Sequence, residues 1–139
     1  IGIAIVWLFA LSGEEPTPLA ETAPGLGAAM IVVWGVFRLL GTTFLVPVVE
    51  EFFFRGYLMR RISEIPGLGP KSGPVLGVLA SSVLFAIVHN ALFLAFVCGV
   101  VFGLVALRRG QLFDAILAHA VANGLIGIWA LVFNDWSVI

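Results

Sequence analysis

Charge is what this chain has least of. Seven basic and eight acidic residues are all that its 139 positions carry, 11 % of the total, where a soluble domain averages about 25 %. The mean hydropathy is +1.15, and a chain this short has too much surface for its volume to hide so many apolar side chains from water. A soluble globular fold is thereby excluded, and lipid is the expected solvent. The formal net charge of −1 provides no basic surface for nucleic acid. The single cysteine, Cys98, excludes an internal disulfide framework. Missing motifs narrow the chemistry as well. There is no H-E-x-x-H for a zinc-protease helix and no Gly-x-Gly-Asp. Ser81 and Ser82 lack the glycine flanks of a nucleophile motif, and Asp114 and Asp135 stand at the edges of apolar segments rather than as a buried pair.

What is present is a series of apolar segments. The run at 1–11 is too short to span a bilayer and has no basic flank. It reads as the tail of a helix whose start is missing, which makes the chain the C-terminal portion of a longer membrane protein, folded as one domain over 1–139. Residues 12–27, with Pro16, Pro18, Pro24, Glu14, Glu15 and Glu21, predict an extramembrane loop with room for a short surface segment. Residues 28–62 would be about 52 Å long as one helix, well beyond a hydrocarbon core of about 30 Å. They must bend, tilt or protrude, Pro47 being the natural kink, and the sequence leaves open whether they cross once or re-enter. Residues 73–107 carry no formal charge and are too long for one crossing, so the polar pair His89 and Asn90 is expected to join two helices. Residues 115–133 come close to the roughly 20 needed to span.

The expected fold is therefore an all-α polytopic transmembrane helix bundle of about four core helices plus a truncated N-terminal helix. Arg60, Arg61, Lys71, Arg108 and Arg109 then fall on one face, which the positive-inside rule makes cytoplasmic. The segment from Gly99 to Gly103 has the small-xxx-small spacing that lets helices approach closely.

Ionisable groups inside membrane segments are costly, roughly 2.5 to 3.5 kcal/mol each on insertion scales, and so are functional candidates by default. Glu50, Glu51 and Arg55 lie among large apolar residues. Glu51 and Arg55 are four apart with the acid first, the favourable order for a helical ion pair. Glu50 points about 100° away and is left free as a general base. His89 follows Phe85 by one turn on the same face, where a histidine often serves only to cap a helix. His119 and Asn123, also four apart, share a face of the last helix. At 1.5 Å per residue, Glu50 and His119 each lie about 15 Å from the basic face and His89 about 20 to 25 Å, so the groups can converge near mid-membrane.

Such a set suffices to hydrolyse a peptide bond. Glu50 would take a proton from water, His89 would hold and polarise that water, and His119 and Asn123 would donate hydrogen bonds to the oxyanion. Glu50, His89 and His119 are equally a three-ligand set for a divalent metal such as zinc, and spacing does not separate metal-bound from metal-free water.

These residues resemble a known family. Glu50, Glu51 and Arg55 form the EExxxR motif, Phe85 and His89 the FxxxH motif, and His119 and Asn123 the HxxxN motif of the CPBP intramembrane proteases. That family, also called CAAX protease and bacteriocin-processing or Abi, includes the Ras-converting prenyl protease of eukaryotes. The resemblance implies a helical bundle with an intramembrane site, catalytic Glu50, water activation shared with His89, and an oxyanion site from His119 and Asn123. It further implies supporting roles for Glu51, Arg55 and Phe85, a glutamate-type mechanism with no cofactor favoured, and a membrane-associated protein or peptide cut near its C-terminus. Short loops and the motif flanks point to a bacterial inner membrane. The alternatives are a non-catalytic immunity or binding protein of the same fold, in which Glu50 and His119 are dispensable, and an ion-coupled carrier, which needs a continuous polar path that the uncharged stretches around His89 do not offer.

Overall fold

The computed structural model describes residues 17–89 and 91–139. The apolar run at 1–11 and Asn90 lie outside the described residues. Among those described, every regular element is helical. In chain order they are α1 (Leu19–Thr22), α2 (Ala28–Ser63), α3 (Ser72–Ile87), α4 (Leu92–Arg109), α5 (Leu112–Phe133) and a 3-10 turn (Trp136–Val138). The helices α2, α4 and α5 are long and apolar enough to cross a membrane, while α3 is apolar but shorter. Phe37, Phe93 and Phe113 are 66–72 % exposed, a surface suited to lipid and not to water. This is the expected all-α polytopic architecture, and α3 ends just before His89.

The long helix α2 stays helical past Pro47 by widening. A proline lacks the N–H for its turn, and its ring presses on the carbonyl four residues back. The turn before it, Gly41–Leu45, is π-helical, closed by the Val46 N–H on the Gly41 carbonyl, which makes room for that ring. A second wide stretch, Phe52–Met59, carries Arg55.

The chain forms two compact units. In the first, residues 17–46 with 120–139, Gly35 lies against Leu19 and Trp136, and the Trp136 N–H donates to the Thr17 carbonyl at 2.8 Å. Asp135 ties this strap, accepting from the Thr17 N–H at 3.2 Å and from the Ser137 hydroxyl at 2.7 Å. Burial alone would raise the Asp135 carboxyl, but these hydrogen bonds outweigh it and hold the group below the usual carboxylate range. A lowered native value stabilises above the unfolded value and is lost as pH falls through the native one, so the strap holds at neutral pH and loosens in acid. Arg38 donates from Nε to the Ile139 carbonyl at 2.9 Å and lies over Trp34.

The second unit, Pro47–His119, holds the rest of α2, then α3, α4 and the start of α5. Glycines set its spacing. A Cβ on Gly77 would meet the Met59 carbonyl oxygen at 2.6 Å, and one on Gly99 would meet Ser82 atoms at 3.0 to 3.2 Å. Gly103 packs likewise on Val78, so the small-xxx-small segment of α4 seats on α3 as its spacing predicts. Gly77→Ala is expected to lose about 1 to 3 kcal/mol through overpacking against backbone. Gly41, with nothing within 4 Å of an added Cβ, should gain about 0.5 to 1 kcal/mol on Gly41→Ala. Thermal unfolding in detergent reads both signs.

Candidate active site

The site grows from the last two residues of ordinary α-helix before the wide stretch of α2. Glu51 is fully buried and Arg55 is 1 % exposed. Arg55 Nη1 donates to Glu51 Oε1 at 2.8 Å, and Nη2 donates to the Gly99 carbonyl at 3.0 Å. That carbonyl is reachable because the Gly99 segment of α4 carries no side chain there. The rings of Phe85, Phe102 and Phe54 surround the guanidinium, their centroids 4.6, 5.5 and 5.8 Å from its central carbon. The pairing predicted from four-residue spacing is present.

Glu51 does more than pair with arginine. Its Oε1 also accepts from His119 Nδ1 at 3.0 Å, across 68 residues of chain. His119 is 3 % exposed, so the carboxylate fixes both the ring and which nitrogen carries the proton toward it. Glu51 thus bridges Arg55 and His119.

His89 follows the end of α3 directly. Its Nδ1–H donates to the Phe85 carbonyl at 2.6 Å, one of the last carbonyls of the helix that lacks an intrahelical partner. Capping at Nδ1 leaves Nε2 free to face elsewhere, so the capping contact is compatible with a functional one. Its ring lies on Phe85 at 4.2 Å.

Both free nitrogens face one atom. Glu50 Oε2 is 3.7 Å from His89 Nε2 and 3.8 Å from His119 Nε2, beyond direct hydrogen-bond range but within reach of a shared water. That oxygen is buried and has no hydrogen-bond partner among the described residues, although the Glu50 and His89 side chains are 23 % and 32 % exposed and open the cluster on that side. The structure thus brings together Glu50, Glu51, Arg55, Phe85, His89 and His119. Asn123 belongs to the other unit, where its Nδ2 donates to the Thr42 carbonyl at 2.8 Å.

The other nucleophile candidates are occupied. Ser81 and Ser82 are fully buried, and both hydroxyls donate to the Val78 carbonyl at 3.2 and 2.7 Å. Among the described residues no group of three His, Cys, Asp or Glu side chains is placed as a ready-made metal site.

A family model described as type II CAAX prenyl endopeptidase, Rce1-like, matches residues 32–125. The chain belongs to that family. The matched stretch runs through all six side chains of the cluster and Asn123, and the family is one of CAAX-type endopeptidases. With three helices able to cross a bilayer, this Rce1-like member is an integral membrane protein. Comparison with curated proteins and with solved structures gave no match.

Proposed function

We propose that this Rce1-like protein is an intramembrane endopeptidase that hydrolyses a peptide bond near the C-terminus of a membrane-associated protein or peptide. The observation that carries the reading is Glu50 Oε2, a buried carboxylate oxygen without a hydrogen-bond partner among the described residues and with the Nε2 atoms of two oriented imidazoles beside it. An unpartnered acceptor in such a place is the abstracting atom a hydrolase needs.

In this mechanism Glu50 takes a proton from water as the water oxygen bonds to the scissile carbonyl carbon. The carbonyl π electrons move onto oxygen, giving a tetrahedral oxyanion. His89 Nε2, its ring fixed at Nδ1, accepts a hydrogen bond from the same water and orients it. His119 serves as the doubly protonated ring: its Nδ1–H donates to Glu51, whose negative charge balances it, and its Nε2–H faces the reacting carbonyl as a donor. Asn123, one turn further along α5, retains an amide hydrogen beyond its bond to Thr42, and the two are assigned the oxyanion. The intermediate collapses as the proton on Glu50 passes to the leaving nitrogen and the C–N bond breaks. Glu51 and Arg55 are positioning residues. We place the protein in a bacterial plasma membrane, a placement supported by the short connections between helices.

The test is cleavage of C-terminal reporter peptides, prenylated and unprenylated, by the detergent-purified chain. Asn123→Ala should lower kcat about 10²- to 10³-fold, the usual cost of an oxyanion donor. Dialysis against a strong chelator should leave kcat unchanged; loss restored by zinc would replace this mechanism with a metal-based one.

A further inference from the structure

Each imidazole of the site is held by a hydrogen bond at Nδ1 and by an aromatic face, and Phe85 also meets His119 edge-on at 5.7 Å. His89 donates from Nδ1 to the Phe85 carbonyl and lies on the Phe85 ring. His119 donates from Nδ1 to Glu51 and lies on the Phe102 ring, centroids 4.7 Å apart and planes 16° from parallel. Phe85 belongs to the motif that ends in His89. Phe102 belongs to no such motif and falls between Gly99 and Gly103 on α4.

We propose that Phe102 is the positioning residue that sets the plane of the His119 ring and so aims its Nε2 at Glu50. The inference rests on the hydrolytic reading above. A hydrogen bond at Nδ1 fixes one point of the imidazole and leaves the ring free to swing about it. A flat aromatic face against the ring removes that freedom. Phe102 is rigid enough for this task. It is 2 % exposed, meets Phe85 edge-on at 6.4 Å, and has the Arg55 guanidinium carbon 5.5 Å from its centroid. The glycines on either side explain its reach, since a Cβ on Gly99 would press on Ser82 and one on Gly103 on Val78, either of which would hold α4 off α3. Phe102 thus does for His119 what Phe85 does for His89.

Removing the ring leaves the Glu51 bond in place but loosens the aim of Nε2, and misplacement by about 1 Å can cost up to about 10²-fold in rate. The test compares Phe102→Met, which keeps volume without a ring, and Phe102→Leu with Phe54→Met in the full chain, using a prenylated C-terminal reporter peptide. Phe54 is a matched control. It is 6 % exposed and packs on Phe85 at 5.1 Å with Arg55 beside it, so it shares the aromatic cluster, and no ring stacking joins it to either imidazole.

Either Phe102 variant should lose about 10- to 100-fold in kcat with KM held within about two-fold, while Phe54→Met keeps its kcat despite a comparable fall in melting temperature. Unchanged kcat in the Phe102 variants, or an equal kcat loss in Phe54→Met, overturns the proposal. Glu50→Gln, run alongside, separates the two failures. If it stays active the hydrolytic reading falls; if it is dead while Phe102→Met is not, only the role of Phe102 falls.

Discussion

Glu50→Gln is expected to lower kcat by about 10²- to 10⁴-fold, the range over which a positioned general base contributes, with KM little changed. The amide keeps the size of the side chain and one acceptor oxygen but cannot take up the proton of water. Glu50 is also a good subject for a clean substitution, because its Oε2 has no hydrogen-bond partner among the described residues and it is only partly buried. Stability should therefore be maintained while turnover collapses, and melting curves of wild type and variant should overlay. A variant that cleaves at the wild-type rate would favour the non-catalytic reading of the same fold, in which Glu50 and His119 can be exchanged without consequence.

The second large effect is expected in stability. Arg55→Met leaves Glu51 as a buried carboxylate without its cationic partner, and breaking such a pair from one side costs about 3 to 5 kcal/mol. The fall in melting temperature in detergent should be the largest of any single substitution discussed. Replacing both partners with apolar residues, Glu51→Leu with Arg55→Met, should recover most of it, since a well-packed apolar pair often matches a buried ion pair in stability. Cleavage should not recover. With Glu51 gone, His119 Nδ1 loses its 3.0 Å partner, and the ring is no longer held for catalysis. A stable but inactive double variant would separate the structural from the positioning role of Glu51. A double variant as active as wild type would show that the Glu51–His119 bond is dispensable.

Much of this architecture is legible in the sequence, for a physical reason. In lipid every charged or strongly polar residue must have a cause, so the few present mark the candidate site. The break at His89, the Glu51–Arg55 pair, and the motif positions on α2, α3 and α5 all follow from spacing along single helices. What spacing does not carry is the contact between helices. The bond from Glu51 to His119 joins residues 68 apart, and nothing local to either position announces it. Phe102 is hidden for a related reason: twelve phenylalanines serve a lipid-facing chain as ordinary surface, and only packing shows which of them face inward. The wide turns of α2 were half legible. Pro47 signals a disturbance, but whether the backbone answers with a kink or with the π-helical turn at Gly41–Leu45 depends on the room available. At His89 the capping reading does not compete with the proposed functional one, because Nδ1 caps α3 while Nε2 faces Glu50.

The central claim is that water activated at Glu50 attacks the peptide bond directly. A single-turnover cleavage of the reporter peptide in ¹⁸O-labelled water tests it, with mass spectrometry of both the product and the protein. Direct attack predicts one ¹⁸O in the new C-terminal carboxylate of the product and none in Glu50. Label appearing in Glu50 while the product carries only ¹⁶O would mean that the carboxylate itself attacks to form an anhydride, and would contradict the account.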